Sequence, residues 1–243
     1  LHNVGLLGHE GTHFTLAKDR KLSAYIGTFF SSMVPFHFNT GFALSHARHH
    51  WHTNSENDPD LNIFNQFNNF WKRFFLARSK ASRVYFFETL NMAKNNFSHP
   101  NQVGLKSKDL VQLARFNLVS SFFFLCVYAT CIYLFPKSFG IAFVLVYFSA
   151  VFLSGLRPYM EHVETDQGDF SRARTFSSPF MDYVFGTINY HQAHHMYPTV
   201  PGYNLPNLQS YLVKEGYFSE KNTVEETSFL NLLKTVSKGR YGF

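Results

Sequence analysis

Cysteine is nearly absent from these 243 residues: Cys126 and Cys131 are the whole complement. They stand five apart in an apolar run, without CxxC spacing, which argues against a disulfide framework or a thiolate metal site and reads as two buried free thiols. Charge is scarce as well. Asp, Glu, Lys and Arg make up 16% of the chain, below the roughly 25% of an ordinary soluble domain. No repeat or low-complexity tract occurs, and the opening residues have no signal-peptide pattern. The chain begins at Leu1, eight residues before its first histidine pair, so an amino-terminal piece is expected to precede it.

Aromatic residues and histidine are plentiful, with 30 Phe, 13 Tyr and 13 His. Abundant apolar surface with little charge points to lipid contact. The net charge is +6, but the basic residues flank apolar runs and form no separate patch. An anionic bilayer surface is therefore the expected partner, and no nucleic acid.

Residues 116–135, FNLVSSFFFLCVYATCIYLF, are uncharged and as a helix would be about 30 Å long, the depth of a bilayer core. After Pro136 and Lys137, residues 138–156 are uncharged again. The two runs predict a transmembrane hairpin. Lys106, Lys108 and Arg115 precede it, Arg157 follows it, and only Lys137 lies at the turn, so both open ends are expected in the cytoplasm. A third uncharged stretch, Leu22 to Ser45, contains Pro35, His37 and Asn39. It is expected to lie in the interface or re-enter, because crossing would separate the histidine clusters by the bilayer. Residues 83–97 read as an amphipathic helix on the membrane surface, and the chain after Pro206 as a soluble cap of short helices.

The histidines fall into three clusters: HEGTH with His9 and His13, HARHH with His46, His49 and His50, and HQAHH with His191, His194 and His195. Spacings of three and four put each cluster on one helical face. Imidazole suits Zn, Cu, Fe and Ni, and eight ligands exceed what one ion takes, so two transition-metal ions fit the count. His52 is six residues past His46, about 240° round the helix, and points off the ligand face. His2, His37 and His99 stand alone and read as structural. His162 follows the second span beside Glu161 and is a candidate ninth ligand. Taken by itself, His9-Glu10-Gly11-Thr12-His13 also matches a zinc metalloprotease helix, with Glu10 as general base, and a membrane metal carrier is a third class.

HEGTH, HARHHWHTN and NYHQAHHMYPTVPGYNLP, in this order and spacing, resemble the three boxes of the membrane fatty acid desaturase/hydroxylase family. DPDLN (58–62) and ARTFSSP (173–179) are similar to segments of bacterial acyl-lipid desaturases and carotenoid ring hydroxylases. The resemblance implies an all-α integral membrane protein, one desaturase-like domain over 1–243, with a cytosolic helical cap holding a di-iron site. It implies two iron ions, O2 as co-substrate, and an external electron donor, a ferredoxin or a haem cytochrome with its reductase. It implies a ligand after the last span, which His162 matches. It also implies a helical hairpin ahead of the first box that is absent from these residues. His99-Pro100 is followed by Asn101, so no His-Pro-Gly-Gly haem motif is present. Glu10, Asp58, Asp60, Glu161, Asp166 and Asn189 are candidates to hold the outer nitrogens of ligand histidines, and Arg172 and Arg174 to meet a lipid headgroup or a salt-bridge partner. The expected reaction is desaturation of an acyl chain. A carotenoid ring hydroxylase or ketolase, or another lipid hydroxylase of the same family, is the alternative.

Overall fold

The computed structural model describes residues 1–67, 69–97, 103–218 and 224–242; His99 lies outside them. The described chain is mostly helical and divides into two compact units, residues 1–47 with 78–154, and residues 48–77 with 155–243.

The first unit opens with α1 (His2–Thr12) and α2 (Arg20–Ser32). Asp19 caps α2 by accepting from the Leu22 N–H, a standard entry for a helix whose first donors have no partner. The two helices cross at Gly11 and Gly27. A methyl group on Gly11 would stand 2.7 Å from the Gly27 Cα and 3.1 Å from the Ser23 carbonyl, so only glycine permits this approach. The uncharged stretch 22–45 is broken by a turn through Pro35 between α2 and α3 (Asn39–His52). At 13 residues α2 reaches about 20 Å, too short to cross a bilayer.

Helices α7 (Ser107–Leu134) and α8 (Ile141–His162) follow one another across a short π-type turn, Pro136–Gly140, where a hairpin is expected. Both outrun the apolar stretches read from sequence. α7 starts nine residues before Phe116, and α8 continues past Leu156 through Pro158 to His162. Each is long and apolar enough to cross a membrane, and only 17% of its most apolar window is buried. A core helix of a soluble protein would bury that window. Here Val119, Phe122, Phe123, Leu145 and Phe148 face outward, which suits contact with hydrocarbon. Cys126 and Cys131 are free, but Cys126 is exposed and Cys131 half-buried, so the expectation of buried thiols fails. In a chain lacking both, cysteines placed at Lys108 and Lys137 are expected to react with a membrane-impermeant maleimide from opposite faces. Labelling of both from one face would remove α7 as a span.

α7 is fastened inside the unit by polar groups. Asn117 Oδ1 accepts from the Thr40 N–H and hydroxyl, both at 3.1 Å, and its Nδ2 donates to Ser32 Oγ at 3.0 Å. Ser32 and Ser120 hydroxyls meet at 2.8 Å. Away from water such groups need partners, and here they find one another. The helix expected on the membrane surface is α6 (Arg78–Ala93), reached from the short α5 (Phe70–Lys72) through one π-type turn. One of its faces packs into the unit. It buries Ala81, Tyr85, Thr89, Met92 and Ala93; Thr89 Oγ1 accepts from the Gly41 N–H at 2.9 Å and meets Thr40 Oγ1 at 3.0 Å.

In the second unit the end of α3 leads to α4 (Pro59–Phe64), and the last turns of α8 lead to β1 (Thr175–Phe176), α9 (Pro179–Phe185), α10 (His191–Met196), α11 (Leu205–Lys214), β2 (Glu225–Glu226) and α12 (Phe229–Lys238). β1 and β2 pair in parallel, two residues each. The stretch after Pro206 carries short helices, as expected. Residues 240–242 return to α8: Gly242 N–H donates to the His162 carbonyl at 2.9 Å, Glu164 N–H to the Arg240 carbonyl at 3.0 Å, and Val163 bridges Tyr241 antiparallel.

Candidate metal centre

In the first unit α1 presents His9 and His13 on one face, and the first part of α3 presents His46. The three offer nitrogens within 4.8 Å of one another. His46 Nε2 stands 2.9 Å from His13 Nε2, and the ring centroids are 4.7–4.9 Å apart. Phe42, one turn before His46, stacks on its ring at 4.8 Å. Burial, then the neighbouring His9, holds His13 well below the usual histidine pKa, which keeps it a neutral ligand. Glu10, the general base of the protease reading, accepts from the Thr15 hydroxyl and lies 3.9 Å from His9 Nδ1.

In the second unit His49, His162, His191 and His195 converge, one nitrogen from each within 4.8 Å of the others. The Nε2 contacts are 3.3 Å for His49–His195, 3.2 Å for His191–His162 and 3.1 Å for His195–His191. His50 and His194 form a further pair with Nε2 atoms 3.1 Å apart, and the His50 ring stacks on His195 at 4.4 Å. His52 joins neither group.

The outer nitrogens decide what such a group can hold. Asp58 is fully buried, and both its oxygens lie 3.0 Å from His49 Nδ1. Its carboxylate is fixed by the Asn54 N–H at 2.8 Å and the Asp60 N–H at 2.9 Å. His162 Nδ1 donates to the Arg172 carbonyl at 3.0 Å, an atom that can only accept. With the proton held at Nδ1, the Nε2 of His162 turns a lone pair inward. Burial alone would push the His49 pKa down, but the Asp58 charge and hydrogen bond, with Asp60 and Glu161 beyond, raise it to about 9. A site that favours a proton on His49 Nε2 this strongly also favours a metal cation there. Burial, followed by the neighbouring imidazoles and Arg157, holds His191 well below the ordinary value, and burial with the neighbouring imidazoles does the same for His195. Buried imidazole nitrogens gathered without protons to share fit transition-metal ions.

Asp60 is half-buried, 3.8 Å from His49 Nδ1, and its pKa is raised to about 6, first by desolvation. Glu161 lies 3.6 Å from His191 Nε2 and 3.3 Å from Arg157. Two other candidates stand elsewhere. Asp166 ties its own loop through the Gly168 N–H and the Ser171 hydroxyl. Asn189 donates to the Phe176 carbonyl and to Asp182, fastening the start of α10. Arg172 pairs with Asp169, and buried Arg174 donates to the Met160 and Val163 carbonyls, so Arg174 is a backbone clamp and faces no headgroup.

Sequence reasoning missed Asn54. Its backbone is left-handed (φ 61°), and its Nδ2 donates to Thr165 Oγ1 and to the carbonyls of Asp166 and Arg172. It therefore holds the loop whose carbonyl orients His162. Its place two residues after His52, in HTN, was the available signal. Tyr241, packed 5.4 Å from the His162 ring, left none.

No curated protein and no solved structure matches the chain. The model of the family described as Fatty acid desaturase matches residues 1–224, which include all nine candidate ligands, and it displaces the protease reading. The chain belongs to the fatty acid desaturase family, di-iron oxidoreductases that desaturate or hydroxylate lipids.

Proposed function

We propose that this protein is an O2-dependent membrane desaturase that puts a double bond into an acyl chain, with two electrons from an external donor. The observation that carries the reading is the four-histidine group of the second unit, one nitrogen from each within 4.8 Å of the others, with the outer nitrogens of His49 and His162 tied to Asp58 and to the Arg172 carbonyl. Nine residues, His9, His13, His46, His49, His50, His162, His191, His194 and His195, hold two irons in this reading. Iron with O2 supplies, when bound, an oxidising power toward unactivated C–H bonds that no side chain has. The protein's own residues do the rest. Burial keeps His13, His191 and His195 neutral; Asp58 fixes the ring of His49; the outward apolar faces of α7 and α8 keep the protein in the phase where its substrate dissolves. The bilayer partner, a cytoplasmic active site and the ferredoxin or cytochrome donor belong to the same proposal.

The balance is one –CH2–CH2– unit, O2, two electrons and two protons giving –CH=CH– and two waters. Expression of the full-length gene with a suitable reductase is expected to give a new double bond in membrane fatty acids, read by gas chromatography and mass spectrometry. A parallel host carries a carotenoid pathway. New hydroxylated or ketolated carotenoids with an unchanged fatty-acid profile would overturn the acyl-chain reading.

A further inference from the structure

We propose that the Thr53 hydroxyl sets the tautomer of His195 and so aims its Nε2 at the metal; the inference rests on the di-iron reading above. Thr53 is buried just past the end of α3. A threonine hydroxyl has one proton to give, and this one goes to the His49 carbonyl, 2.7 Å away and four residues back. Toward other neighbours the oxygen can therefore only accept. The neighbour it meets is His195 Nδ1, at 3.3 Å. That nitrogen carries the proton, which leaves the lone pair on Nε2, the atom 3.1 Å from His191 Nε2 and 3.3 Å from His49 Nε2.

The arrangement runs in one direction, from His195 Nδ1–H to the threonine oxygen and from the threonine O–H to the His49 backbone. One side chain thus joins the second histidine box to the third. It also adds to a set. His49 is oriented by the carboxylate of Asp58 and His162 by the carbonyl of Arg172, and Thr53 serves the third ring with a neutral acceptor made one-directional by where its own proton goes. Without the hydroxyl, the His195 Nδ1 has no acceptor in this direction. The ring is then free to take the other tautomer, with a proton on the nitrogen that faces the metal. Thr53 is a positioning residue: it touches neither metal nor substrate, and acts through His195.

The test uses the full-length protein loaded with 57Fe, comparing the natural protein, Thr53→Val and Thr53→Ser. Iron affinity is measured by chelator competition, the two irons are separated by Mössbauer spectroscopy, and the thermal stability of the iron-free protein is recorded alongside. Valine keeps the shape and removes the oxygen; serine keeps the oxygen. The expected result is a 10- to 100-fold loss of affinity at one iron in Thr53→Val, on the order found when partners of metal-bound histidines are removed. Its quadrupole doublet should change, and Thr53→Ser should stay near the natural protein. Thr53→Val that keeps both irons with an unchanged spectrum would overturn the inference and leave the di-iron reading standing. Equal iron loss in both variants, with lower stability of the iron-free protein, would also overturn it, since the side chain would then matter only for packing the end of α3. A natural protein that binds no iron would sink the proposed function itself, and the inference with it.

Discussion

Alanine in place of Asp58 is expected to destabilise the iron-free protein by about 3–5 kcal/mol, the usual cost of leaving one member of a buried pair alone. The carboxylate is wholly buried and accepts from three sides: the His49 ring, the Asn54 N–H and the Asp60 N–H. Truncation leaves all three without an acceptor and removes the cap of α4. It also releases the His49 ring, so the iron held by the second unit's histidines should be lost. Asp58→Asn keeps the shape and one acceptor oxygen, and should fall between the two. Melting in detergent and iron per chain are the measurements. A metal-replete Asp58→Ala protein that melts with the natural one would show that the carboxylate bears none of this strain.

Alanine at Gly11 should do comparable damage by another route. The added methyl would meet the Gly27 Cα at 2.7 Å, and backbone cannot swing aside as a long side chain can. Forcing an extra carbon into a closed contact costs about 1–3 kcal/mol, occasionally more, and at roughly 2–4 °C per kcal/mol the melting temperature should drop by several degrees. The functional effect should be larger than the thermal one. Gly11 lies between His9 and His13, so parting α1 from α2 moves both rings away from His46. By propensity alone a glycine weakens a helix. In the structure the helix runs straight through it, and the glycine is there for the crossing. A Gly11→Ala protein with natural iron content and melting temperature would refute the close contact.

The histidine boxes are legible because their spacing is the helical period itself, and α7 and α8 are legible because their apolar runs are long and uncharged. What hydropathy hides is burial by small and hydroxyl-bearing residues. Tyr, Phe, Glu and Lys around 83–97 suggest a surface helix, yet the packed face of α6 is Ala81, Tyr85 and Thr89. Ser32, Thr40, Asn117 and Ser120 look like loop or interface residues until their partners across the unit are known. Sequence ends α8 too early because the uncharged run stops at Leu156 and Pro158 follows. Neither prevents the helix from reaching His162.

The pairing of residues 240–242 with His162 and Glu164 has a consequence in time. About 80 residues separate the two partners, so at the usual 5–20 residues per second a ribosome reaches the second some 4–16 s after the first. Through that interval α7 and α8 are already made and able to enter the bilayer, while the carbonyl of His162 waits for Gly242 and its ring for the packing of Tyr241. Contacts this distant in sequence also form late once the chain is free. In the di-iron reading, iron capture by the second unit is expected to be a late event, after synthesis has passed residue 242.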